Sequence, residues 1–356
     1  QLEAFASWLS ANVDVDSFPN DRQQEFITTT NQVGLLQGPP GTGKTAGTLA
    51  PTLCARLFAA GQVGRSVAGL ITGPSNTAID ELLADTAELV ETLCEEGVNG
   101  FSADTIELVR ITREPPTDPA DGVSYLHYSN DDDAEALNDI YDRTLSSGEG
   151  VIPPRATTSS SPDGGITKQT GQATFTTFDD TDTGTAVVDD GPPASEQTHT
   201  LVFTTPTSSW GLLKDFAASG ADPVDIASQS LWDLVVGDEA SMLTLPKLIL
   251  AGAGMKSSAQ LLLGGDHRQL PPVQKYEWED ERRRSVTEAA PHLSTLDYFR
   301  LLGGDADGSA EILDPDQRDL LAADIDPDSN PIPLVQLNTT FRFGPDTADF
   351  IGKTVY

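Results

Sequence analysis

Apolar positions in this chain gather into short unbroken runs separated by stretches long enough for a helix. Five runs stand out: Val33-Gly-Leu-Leu-Gln37, Ala68 to Thr72, Thr200-Leu-Val-Phe-Thr204, Leu231-Trp-Asp-Leu-Val-Val236 and Gln260-Leu-Leu-Leu-Gly264. Runs without polar alternation predict strands buried on both faces, the pattern of a parallel sheet covered by helices. Ala46 to Ala60 and Thr77 to Glu95 supply helical stretches between them. Residues 100–198 read differently, being rich in Asp, Thr, Ser, Gly and Pro. Ser129 to Asp133, Ser159 to Gly165 and Asp179 to Pro193 predict loop or disorder, with one short helix over Ala134 to Leu145. The expected organisation is one α/β domain in two parts, 1–99 and 199–335. A large, acidic, partly disordered insertion over 100–198 divides it, and 336–356 begins something further.

The first run leads straight into Gly38-Pro-Pro-Gly-Thr-Gly-Lys-Thr45, a complete G-x-x-x-x-G-K-[ST] phosphate loop between a predicted strand and a predicted helix. Glycines allow backbone N–H groups to close around phosphates, and the helix N-terminus adds its positive end. Gly38, Pro40, Gly41, Thr42 and Gly43 would form the cradle. Lys44 would reach the β- and γ-phosphates, and Thr45 would ligate Mg²⁺.

Two later strand ends carry matching chemistry. The run ending at Val236 is followed by Gly237-Asp238-Glu239-Ala240-Ser241. Adjacent carboxylates there divide the labour: Asp238 would hold Mg²⁺, and Glu239 would orient or deprotonate the attacking water. The next run ends in Gly264-Gly-Asp-His-Arg-Gln-Leu-Pro-Pro272, where the prolines stop the strand and Gln269 would sense the γ-phosphate.

Charge changes the picture of the partners. The chain has 21 Lys+Arg against 55 Asp+Glu, a net charge of −34, spread along its whole length. Self-repulsion of that size is relieved by salt, since the Debye length falls to about 3 Å at 1 M. An adaptation to a saline cytoplasm explains this better than an acidic tail does. The two cysteines, Cys54 and Cys94, lack ligand spacing and predict a reducing compartment with neither disulfide framework nor zinc. The run Leu243 to Met255 is broken by Pro246 and Lys247, so no membrane span is expected. A start at Gln1, with no signal peptide visible, reads as a segment of a longer cytoplasmic protein.

Taken in order, these motifs resemble the first RecA-like motor domain of superfamily 1 DNA/RNA helicases. The nearest branch is that of the nonsense-mediated-decay and Dna2-type helicases. Asn20-Asp-Arg-Gln23 is similar to the Q motif, which implies that Gln23 reads the adenine edge. Thr72-Gly-Pro-Ser-Asn-Thr-Ala-Ile-Asp80 resembles motif Ia, and Thr204-Thr-Pro-Thr-Ser208 the next strand-contacting motif. By that likeness Pro74, Ser75, Asn76 and Thr205 touch the bound strand. Gly38 to Thr45, Asp238 to Ser241 and Gly265 to Pro272 are similar to motifs I, II and III. Leu337-Asn-Thr-Thr-Phe-Arg-Phe343 resembles motif IV, whose arginine, here Arg342, approaches the γ-phosphate.

The resemblance covers nearly everything outside 100–198. It implies an ATP- and Mg²⁺-dependent motor moving on single-stranded DNA or RNA. The catalytic set would be Lys44, Glu239, Gln269 and Arg342. Gly237 replaces the family's branched aliphatic residue, so looser packing is expected there, and Phe341 replaces a tyrosine. The family's second RecA-like domain would begin at 336–356. Without it, slow hydrolysis and no unwinding are expected, because an arginine finger is worth ~10³–10⁵ in rate. The basic run Arg282-Arg-Arg284 pairs more readily with Glu277, Glu279, Asp280 and Glu281 than with a strand, and Trp210 and Trp278 read as packing residues. The rival reading is an ATP-binding switch or scaffold that does not translocate. A GTP switch is disfavoured because no Asn-Lys-x-Asp motif is present.

Overall fold

The computed structural model describes residues 1–12, 19–146, 198–216, 229–273, 292–303, 332–342 and 344–354. Helix α1 (Leu2–Asn12) buries Phe5, Ala6 and Leu9, and α2 (Asp21–Ile27) follows. The Asn20 side chain accepts from the backbone N–H of Gln23, and the Gln23 side chain accepts from that of Asn20. This reciprocal cap satisfies two donors that a helix start otherwise leaves open. Strand β1 (Val33–Gln37) feeds the phosphate loop. The first turn after the loop, Thr45–Leu49, is wound as a π-helix, with Leu49 N–H donating to Lys44 O at 2.8 Å. Such wide turns recur at functional sites. Helix α3 (Ala50–Gly61) continues from it, followed by β2 (Ala68–Thr72) and α4 (Asn76–Glu95).

Next come β3 (Ile106–Ile111), β4 (Val123–Leu126) and α5 (Ala134–Ser146). Then β5 (His199–Thr204), α6 (Pro206–Phe216), β6 (Trp232–Gly237), α7 (Leu245–Ala251), β7 (Met255–Gly265), α8 (Thr295–Leu302), β8 (Leu334–Gln336) and α9 (Pro345–Thr354) complete the order. The eight strands form one sheet ordered β4-β3-β5-β2-β6-β7-β1-β8, and every pairing is parallel. One apolar cluster packs α1 to α4 on one face, including Leu53, Leu57, Ile79 and Leu83. A second packs α5 to α8 on the other, including Leu137, Leu212, Leu248 and Leu296. This is the expected α/β sheet with helices on both faces.

Two expectations need correction. The stretch from residue 100 is not purely a surface excursion, because β3 and β4 extend the sheet beside β5 and α5 packs under them. Apolar Ile106-Glu-Leu-Val-Arg-Ile111 carries a strand that the surrounding Asp, Ser and Pro mask in composition. The stretches Ser159 to Gly165 and Asp179 to Pro193 lie outside the described residues. Packing at Gly237 is not loose either: a Cβ there would meet Leu263 Cδ2 at 2.9 Å, so a neighbour already fills the space. Strand β8 belongs to the same sheet as β1, with Leu334 to Gln336 paired to Leu35 to Gln37.

Candidate functional site at the carboxyl edge of the sheet

Because every strand runs the same way, the segments after β1, β2, β5, β6, β7 and β8 emerge at one edge. Ligands bind at this edge in doubly wound sheets. The loop after β1 is shaped by its glycines and by side chains that bond back to its own carbonyls. Gly41 and Gly43 have φ of +77° and +74°, in the left-handed region that glycine tolerates. A Cβ on Gly38 would lie 2.5 Å from Thr42 Oγ1, and Thr42 itself bonds back to Pro39 O. Lys44 is buried, and its Nζ donates to Gly38 O at 2.8 Å inside the loop. Thr48 Oγ1 donates to Gly43 O and ties the π turn to the loop.

The carboxylate pair sits beside it. Thr45 Oγ1 donates to Asp238 Oδ2 at 3.3 Å, so the two residues expected to share Mg²⁺ are in contact. Burial first, and then the neighbouring Glu239 carboxylate, pushes Asp238 up to about 7. Glu239 N–H donates to Asp238 Oδ1 at 2.8 Å. Among the described residues Glu239 alone, apart from glycines, has a left-handed backbone (φ 48°). Its Oε2 is shut off from solvent and bonds to none of them. A strained backbone holding an unpaired, buried acceptor marks functional chemistry. The turn is fixed from below, since Ala240 N–H donates to Gly264 O at 2.8 Å and a Cβ on Gly265 would lie 2.9 Å from Ser241 N.

Gln269 follows β7 and is half-buried, its N–H on Asp266 O at 3.0 Å. The segment after β8 runs back along the phosphate loop. Phe341 N–H donates to Gly41 O at 2.8 Å, and a Cβ on Gly41 would lie 2.3 Å from Arg342 Cβ. Arg342 is exposed, its stem lying against the loop. Pro40 is half-buried at the tip. Gln23 is fully buried beneath Gly43, where its Nε2 reaches Gly43 O at 3.5 Å while its oxygen is taken by the helix cap. The carboxamide that the resemblance assigns to adenine is thus already engaged.

The expected strand-contacting residues line the adjacent edge with their side chains partly committed. Pro74 is half-buried, and Ser75 and Asn76 are exposed. Ser75 Oγ accepts from Ala78 N–H and caps α4. Asn76 Oδ1 accepts from Arg110 Nη2 at 3.0 Å. Arg110 is itself buried and paired with Asp80 at 2.6 Å. Thr205 Oγ1 accepts from Ser208 N–H at the start of α6. Trp210 packs at the edge of the second core cluster, with Lys214 Nζ 5.7 Å from its ring centre. Trp278 and Arg282 to Arg284 lie outside the described residues.

Two side chains at this edge, Gln37 at the buried end of β1 and Arg110 in β3, have no role assigned from sequence. Gln37 had a visible signal, a polar side chain closing an apolar strand directly before the phosphate loop. The site fits MgATP on its own observations: a glycine-built cradle, a lysine resting on loop carbonyls, and a hydroxyl–carboxylate pair next to an unpaired glutamate. Among the described residues, no group of three or more His, Cys, Asp or Glu could hold a metal, and no helix is long and apolar enough to cross a membrane.

A family model described as an AAA domain matches residues 19–148, just over a third of the chain. The match spans the phosphate loop and β1 to β4, and it ends before Asp238, Gln269 and Arg342. No curated protein matches the chain. The parallel sheet, the phosphate loop at its carboxyl edge and this match make the fold that of a P-loop NTPase with a RecA-like sheet.

Proposed function

We propose that this chain is the ATP-hydrolysing motor domain of a nucleic-acid helicase or translocase acting on single-stranded DNA or RNA. The observation that carries the reading is the convergence of Lys44, the Thr45–Asp238 pair, Glu239 and Arg342 on one phosphate loop. Exposed Ser75, Asn76 and half-buried Thr205 stand at the neighbouring strand ends. MgATP, when bound, supplies the transferable phosphoryl group and its divalent counter-charge. Lys44 would exchange its loop carbonyls for phosphate oxygens, and Thr45 and Asp238 would hold the metal. The unpaired Oε2 of Glu239 is the acceptor for a proton of the attacking water. Arg342 would lay positive charge beside the phosphates, and Gln269 would respond to the terminal one.

The test is ATP turnover in molar KCl, with and without single-stranded DNA or RNA. Turnover that either strand raises several-fold, and that Glu239→Gln abolishes, supports the motor. The preferred strand then names the substrate. A second reading, an ATP-dependent switch or scaffold, draws on one observation: Ser75, Asn76 and Thr205 already spend side-chain bonds inside the protein. Tight MgATP binding with no response to either strand would favour it.

A further inference from the structure

Gln37, the last residue of β1, is buried and bonded to two segments, the turn after β7 and the chain after β8. Its Nε2 donates to Asp266 Oδ1 at 2.9 Å, and its Oε1 accepts from His267 N–H at 3.1 Å. Its own carbonyl accepts from Leu337 N–H at 2.7 Å, at the root of the segment that carries Arg342. The next residue, Gly38, opens the phosphate loop and donates to Gly265 O at 3.1 Å. Asp266 passes the connection on. Its Oδ1 accepts from Arg268 N–H, and its N–H reaches Ser241 Oγ at 3.4 Å, two residues beyond Glu239.

A carboxamide holds a donor nitrogen and an acceptor oxygen in one fixed plane, and here both grip the same turn. The turn over residues 266–270 therefore cannot move independently of the end of β1, and the end of β1 cannot move independently of Gly38. Leu270, which ends the turn, and Val273 beyond it stand 74% and 81% exposed, so this end faces outward. We propose that Gln37 is a positioning residue that transmits rearrangement of the phosphate loop to the 266–270 turn. This inference rests on the reading of the loop as a nucleotide site. It needs neither a strand nor hydrolysis.

The test is amide hydrogen exchange across 266–270 with and without MgATP, alongside MgATP affinity from a fluorescent analogue. Three proteins are compared: wild type, Gln37→Met, and the swapped pair Gln37→Glu with Asp266→Asn. The swap reverses donor and acceptor across the Gln37–Asp266 contact and leaves His267 N–H with an oxygen, but it takes the Asp266 Oδ1 acceptor from Arg268 N–H. The expected result is an affinity within about threefold in all three. MgATP slows exchange at 266–270 several-fold in wild type and in the swap, and the response is lost in Gln37→Met. A merely structural glutamine would speed exchange equally with and without nucleotide.

An unchanged MgATP response in Gln37→Met, or a wild-type turn indifferent to bound MgATP, would each overturn the proposal. Failure of wild type to bind MgATP would sink the nucleotide reading together with it. Absence of strand-stimulated turnover would remove only the motor reading and leave the exchange result standing.

Discussion

At the scale of single residues, Glu239 shows what the site demands. A non-glycine residue in the left-handed region costs about 1–3 kcal/mol, and here its carboxylate also presses against Asp238 and keeps an oxygen unpaired. Replacement by glycine should relieve both strains. Glu239→Gly is expected to raise unfolding free energy by about 1 kcal/mol while reducing ATP turnover at least ~100-fold. Denaturant unfolding and steady-state hydrolysis on the same protein check this; a destabilised variant would contradict it. His199 makes the complementary case away from the site. Its Nδ1 accepts from Val67 N–H, and burial lowers its pKa to about 4. The folded state therefore holds it neutral while the unfolded chain takes up a proton below about 6.5. Its contribution is fully present above that value and is lost as pH falls towards 4, at up to about 1.4 kcal/mol per pH unit. His199→Asn keeps an acceptor without titrating. Its stability should fall less than that of wild type between pH 6.5 and 4, and parallel curves would refute the assignment.

At the scale of elements, what the sequence disclosed followed from pattern strength. Five unbroken apolar runs named five central strands, and the phosphate loop between Gln37 and Ala46 could be read outright. Strands β3 and β4 escaped because Ile106 to Ile111 alternates with Glu107 and Arg110, and because acidic neighbours dominate the composition around it. Arg110 is received at the sheet edge by Asp80 and Asn76, 30 and 34 residues earlier in sequence, and by the carbonyls of Ile111 and Phe203. No local pattern carries such a pairing. The engaged carboxamide of Gln23 was hidden for a different reason: a local capping box and a ligand contact require the same residue type.

Arg56 is the strongest example at this scale. Buried in the middle of α3, it donates to Gln260 Oε1, Ile27 O and Thr29 O, each at 2.7 Å, and burial lowers its pKa to about 9. It fastens the end of α2 to α3 and β7 through neutral acceptors. Arg56→Met should leave those acceptors without their donor and cost about 3–5 kcal/mol, read as a lower denaturant midpoint. A loss below about 1 kcal/mol would show that α2 is held by apolar packing instead.

At the scale of the whole molecule, the charge of −34 and the geometry of the strand ends bear on the same question. A strand bound by counterion release would need several free cations along the edge after β2, β3 and β5. Arg110, the buried cation at that edge, is already committed to Asp80 and Asn76; the exposed groups there include the neutral Ser75 and Asn76 and one cation, Arg113, next to the exposed Glu114. Binding through neutral hydrogen bonds and stacking depends little on salt, whereas neutralising Z phosphates gives a slope of about −0.7Z for single strands. The expected slope of log affinity for single-stranded DNA or RNA against log KCl, between 0.5 and 3 M, is therefore no steeper than about −2. Over the same range, screening should raise the unfolding midpoint, because self-repulsion of the acidic surface is what salt removes. Fluorescence anisotropy of a labelled oligonucleotide measures the slope on protein held folded throughout. A slope of about −5 or steeper would mean that the strand meets a cluster of free cations, and the neutral edge would not be its main contact.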